Sequence, residues 1–100
     1  MLDLAVASAG DFAGCLNQRF RLANGGATLE LELVAASPVG GRAAADGRRE
    51  PFALLFRGPS DLVLPQRIYR LECASLGSLE IFLVPIGADA EGVRYEAVFA

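Results

Sequence analysis

Glu30 and Glu32 are the nearest approach in this sequence to a catalytic pair: two carboxylates on alternate positions. In an extended chain they share a face, about 6.5 Å apart by strand rise. General acid–base work by two carboxylates needs surroundings that push their proton affinities apart. Here they alternate with Leu29, Leu31 and Leu33, and Arg19 and Arg21 stand across a short turn. That pattern predicts a solvated, charge-paired strand face. The rest of the chemical inventory is thin. The 100 residues include no His, which removes the common general base, the Ser-His-Asp arrangement and the commonest zinc ligand. All nine basic residues are Arg, so there is no lysine for a Schiff base or a phosphate loop. Gly25-Gly26 and Gly40-Gly41 do not join a strand to a helix start, as a phosphate loop must, and read as turn glycines. Asp89 and Glu91 are too few for a cation cage, and Arg48-Arg49 is too small a basic spot for nucleic acid. The two thiols, Cys15 and Cys73, each fall on the apolar side of an element. They read as small buried hydrophobes in a reducing compartment, with their pairing left open. No enzyme, cofactor or metal site is expected.

The elements that would carry these residues follow from periodicity. A hydrophobic fraction of 53% against 21% charged predicts a folded chain, and its length fits one domain over 1–100. A net charge of −3 argues against nucleic acid and anionic membranes as partners. Leu4 to Ala9 imitates a signal peptide, but it lacks a basic lead, carries Asp3 and is short, so a cytoplasmic location is expected. Ser8 and Asp11 resemble a capping box, and Phe12, Cys15 and Leu16 at i, i+3, i+4 predict one short N-terminal helix. The period then becomes two. Asn24-Gly25 is a favoured type I′ pair. It sets Phe20 opposite Leu29 and Arg19 opposite Glu30, with the hydrophobic faces in step. Residues 35–49, with Pro38, Gly40, Gly41 and Asp46-Gly47, predict a flexible excursion. Further strands are expected at 50–57, 67–73, 79–86 and 93–99. A hairpin loop at Ser75-Leu76-Gly77 places Gly77 in the left-handed region, and Gly87 to Gly92 forms the last hairpin. The expected fold is mainly β: a small antiparallel six-stranded barrel or sandwich with one short N-terminal helix.

One strand carries more apolar residues than a half-buried strand needs. Leu79, Ile81 and Leu83 fill one face, while Phe82, Val84 and Ile86 fill the other, joined by Ala53, Leu55 and Val98 on neighbouring strands. Such a face needs a cover. It comes either from the chain's own helix and the Leu62–Leu64 loop or from a partner or second copy, which makes Phe82, Val84, Ile86, Leu55 and Val98 the candidate interface.

The segments Glu50-Pro51-Phe52-Ala53-Leu54-Leu55-Phe56-Arg57-Gly58-Pro59, Leu64-Pro65-Gln66 with Tyr69-Arg70-Leu71-Glu72, Leu76 to Gly87 and Tyr95-Glu96-Ala97-Val98-Phe99 form a signature, with Asn17 to Leu22 ahead of it. Across nearly its whole length the chain resembles a family of roughly hundred-residue bacterial proteins of unknown function, mostly proteobacterial. The resemblance brings no activity and no site residues. It implies relatives near genes for phage-tail-collar-like proteins, and so an accessory or assembly role. The leading expectation is a non-enzymatic interaction or assembly module, accessory to a phage-tail-like or surface-associated assembly. The alternative is a small-molecule-binding barrel with Arg57, Tyr69 and Tyr95 at its mouth. A carboxylate- or thiol-based enzyme ranks last.

Overall fold

A computed structural model describes residues 9–24, 27–38 and 51–99. Period-two patterning produces six strands: β1 (Arg19–Asn24), β2 (Ala27–Pro38), β3 (Phe52–Gly58), β4 (Arg67–Cys73), β5 (Gly77–Asp89) and β6 (Gly92–Phe99), after one helix, α1 (Ala9–Ala13). All neighbouring strands run antiparallel. The sheet closes into a barrel in the order β1-β2-β3-β6-β5-β4. Inward residues alternate as expected: Phe20 and Leu22, Leu31 and Leu33, Phe52, Leu54 and Phe56, Tyr69, Leu71 and Cys73, Leu79, Ile81 and Leu83, and Val93, Tyr95 and Ala97 are all buried.

The β1–β2 register differs from the expected one by two residues. Phe20 faces Leu31, Leu22 faces Leu29, and Arg21 rather than Arg19 faces Glu30. The last described pair is Asn24↔Ala27, so Asn24 belongs to the ladder instead of the turn. Gly25 and Gly26 lie outside the described residues. A slip of two keeps every side chain on its face, so hydrophobic matching alone does not resolve it. Glu30 and Arg19 still meet diagonally, at 3.8 Å.

Other boundaries shift for local reasons. β2 runs on through Ala35, Ala36, Ser37 and Pro38 to pair with Leu55 down to Phe52, so residues 35–38 of the expected excursion are strand instead. Its remainder, with Ser8 and Glu50, lies outside the described residues. A bulge between Leu33 and Ala35 resets the parity, turning Ala36 toward the core. In the β4–β5 hairpin Cys73 pairs with Gly77, leaving residues 74–76 as the loop, and Gly77 has a φ of 76°. The last hairpin is tighter than its glycines suggest, because β5 extends to Asp89, which pairs with Gly92.

Both ends of the barrel are stoppered. At the end where Phe52 pairs with Phe99, Phe12 of α1 is fully buried, its ring 5.8 Å from Phe52 and 6.2 Å from Phe99. The helix ends early, and Asn17 takes a left-handed φ of 68° while donating its N–H to the Leu33 carbonyl at 2.8 Å. Asn accepts that region more readily than most residues. Leu16 is consequently exposed, whereas Cys15 is buried, so only part of the expected apolar helix face is used. At the opposite end, where Gly58 pairs with Val93, Leu64 turns in and is buried. Leu62 and Val63 stay exposed, so of that loop's apolar run Leu64 alone is buried.

The Gly58 end requires two glycines. A β-carbon on Gly92, whose φ is 144°, would lie 2.2 Å from the Gly58 carbonyl oxygen. Gly92→Ala should therefore lower unfolding free energy by at least about 1–3 kcal/mol. Gly14→Ala, which meets nothing within 4 Å, should stay within about 0.5 kcal/mol. Phe12→Ala should cost about 3–5 kcal/mol, as removal of a buried aromatic does. Urea unfolding of the three variants checks this ranking, and an equal effect at the two glycines would refute the close-approach account.

Candidate functional site

The outside of the barrel divides into two walls. One is charged. On β1 and β2, Arg19 and Arg21 stand opposite Glu32 and Glu30, and Arg57 of β3 donates to Glu32 at 2.5 Å. Arg19, Glu30, Glu32 and Arg57, with Glu91, line an open cleft of about 470 Å³. Glu30 and Glu32, the nearest approach to a carboxylate pair, thus each face an arginine, and the arrangement is an ion-pair lattice along a strand face. At the adjacent β5–β6 turn Arg94 clasps Asp89 and approaches Glu91 at 3.7 Å. The hydrogen bonds from Arg94 hold the Asp89 carboxyl below its ordinary range. Among the described residues no three His, Cys, Asp or Glu side chains are grouped to hold a metal ion.

The other carries an apolar patch beside the outward pair Arg70 and Glu80. Ile68 of β4 pairs with Phe82 of β5, and Val98 of β6 pairs with Ala53 of β3. On the β5–β6 seam the registered pairs end at Val84 opposite Glu96. Ile68 beside Phe82 and Val98 beside Ala53 thus form two outward apolar pairs, one on each side of that seam. One row across the seam holds Val84, Glu96 and Leu55. Ile68, Phe82 and Val98 are 61%, 47% and 59% exposed, while Val84 and Leu55 are half-buried. Ile86 sits at a bulge between Pro85 and Gly87 and is also exposed.

The five interface candidates thus share a wall, with Ile86 at its margin. The expected internal cover lies elsewhere: α1 packs against β2 and β3 at the barrel end, and Leu64 enters the other end. Among the described residues nothing buries Phe82. Sequence reasoning missed Ile68, although the signal was present, since a residue between inward Tyr69 and the preceding loop must face outward.

The candidate ligand mouth is only partly assembled. Tyr69 and Tyr95 come together at the Leu64 end, where both are buried. The Tyr95 hydroxyl accepts the Leu64 N–H at 2.9 Å, and the Tyr69 hydroxyl donates to the Pro65 carbonyl at 2.6 Å. Burial pushes the Tyr95 phenol above its usual range. Arg57 points to Glu32 on the charged wall instead, and it is Arg67 that lies over the Tyr69 ring, 5.6 Å from its centre. The tyrosines therefore pin the loop that closes the barrel.

No helix among the described residues is long and apolar enough to cross a membrane. No curated protein and no solved structure matches the chain. A family model described as "Domain of unknown function (DUF6916)" matches residues 7–99, which span α1 and all six strands, and the chain belongs to that family.

Proposed function

We propose that the chain is a non-enzymatic interaction module that docks a protein partner on the outer wall formed by β3, β6, β5 and β4. The observation that carries this reading is the exposure of three large apolar side chains, Ile68, Phe82 and Val98, on β4, β5 and β6 of a barrel whose other wall is charged. Exposed apolar patches of this kind on small proteins commonly mark interaction sites. Glu96, between Val84 and Leu55, calls for a donor from the partner, which would give the contact direction. The partner class we put first is a subunit of a phage-tail-like or surface-associated assembly, on the strength of the family resemblance. We place the protein in the cytoplasm, where two free thiols persist.

The test is Phe82→Arg, with Arg19→Ser on the charged wall as control. Phe82 is nearly half exposed, so the variant should fold and melt within a few degrees of wild type. Co-purification from the native host, quantified against wild type, should lose its retained partner with Phe82→Arg and keep it with Arg19→Ser. Light scattering identifies the case in which that partner is a second copy. Equal capture by wild type and Phe82→Arg would overturn the reading, and so would a variant that unfolds, since Phe82 would then belong to the core.

A further inference from the structure

The turn after α1 and the β4–β5 hairpin meet at the same end of the barrel, and each brings a thiol. The Ser75 hydroxyl donates to Gln18 Oε1 at 2.9 Å, tying the hairpin loop to the turn. Gln18 in turn donates its backbone N–H to the Cys15 carbonyl at 3.0 Å. Within this joint the Cys15 thiol interacts with both Cys73 and Ser75. The two cysteines, far apart in sequence, are therefore neighbours, and both are free. Their surroundings differ. Cys15 is buried inside the joint, and burial, then the neighbouring Cys73, pushes its thiol above the ordinary range. Cys73 is also largely buried, at 9% exposure, but it borders an open cleft of about 360 Å³ together with Arg19, Arg21, Glu72 and Ser78. Its sulfur also accepts the Leu76 N–H at 3.3 Å.

We propose that Cys73 and Cys15 form a redox-active dithiol that closes to an intramolecular disulfide by exchange with a small-molecule disulfide. The Cys73 thiolate attacks one sulfur of the small disulfide, forming a mixed disulfide and releasing one small thiolate, which takes up a proton. Cys15 then loses its proton and attacks Cys73 Sγ, and the second small thiol leaves. Two protein thiols are oxidised by two electrons, and one small disulfide is reduced to two thiols. The product tethers the turn behind the Phe12 stopper to the hairpin and closes a long loop of chain. Cross-links of that span stabilise by restricting the unfolded chain.

Oxidised glutathione is the probe, with intact mass and thermal melting as readouts. Wild type should lose the mass of two hydrogens, keep no glutathione, gain on the order of 10 °C in Tm and revert with reductant. Cys15→Ser should instead retain one glutathione on Cys73, because nothing resolves the mixed disulfide. Cys73→Ser should do neither. The proposal is overturned if wild type keeps two free thiols, or if its disulfide joins two chains on a non-reducing gel. It is also overturned if Cys73→Ser reacts while Cys15→Ser does not. Should the serine variants fail to fold, peptide mapping of oxidised wild type still decides whether Cys15 and Cys73 are joined.

Discussion

The interior of this barrel exists only because β1 and β4, first and last in the sheet order, find each other, and the meeting is narrow. One registered pair, Arg21 opposite Glu72, joins them. Every other seam carries a run of five or more pairs. Clefts of about 260 and 360 Å³ lie beside the closure. Without that seam Phe20 and Leu22 on one side and Leu71 and Tyr69 on the other would face water on an open sheet. With it they join one core, in which Phe20 meets Phe56 edge-on at 5.2 Å. The joint of Gln18 with Ser75 lies close by and helps to hold the two strands together.

Closure also decides what is left outside. Once the barrel is filled and stoppered by Phe12 and Leu64, the second face of each strand has only the exterior. On β1 and β2 that face is arginine and glutamate, which water and ion pairing accommodate. On β5 and its neighbours it is Ile68, Phe82, Val84 and Val98, which gain nothing from water. The contrast between these walls is what favours docking over catalysis as a reading.

Much of this was legible in the sequence. Strand number, barrel closure as one of two options, the inward residues and the charge-paired face all follow from period-two patterning with glycine at the turns. The β1–β2 register did not, because Phe20 meets a leucine whether it faces Leu29 or Leu31. Turn chemistry favoured Asn24-Gly25, while the folded barrel keeps Asn24 in the ladder. The length of β2 was hidden by a bulge at Val34 and by Pro38 and Ser37, which read as loop but sit at the end of a strand. The position of α1 was hidden for another reason: an apolar helix of two turns fits a sheet face or a barrel end equally well by composition. Contact between Cys15 and Cys73 depends on where that helix lies, so it too needed coordinates.

The narrow seam has a consequence for behaviour at high concentration. Where β1 and β4 part, each exposes a strand edge with unpaired N–H and C=O groups, the template on which a foreign strand adds and amyloid-like stacking begins. Arginines stand along both edges, Arg19 and Arg21 on one strand and Arg67 and Arg70 on the other, all exposed, with Glu72 at the closure itself. A second molecule offering the same edge would set guanidinium against guanidinium, while the native mate offers Glu72 to Arg21. The arginines thus act as gatekeepers: they let the barrel close on itself and discourage it from polymerising.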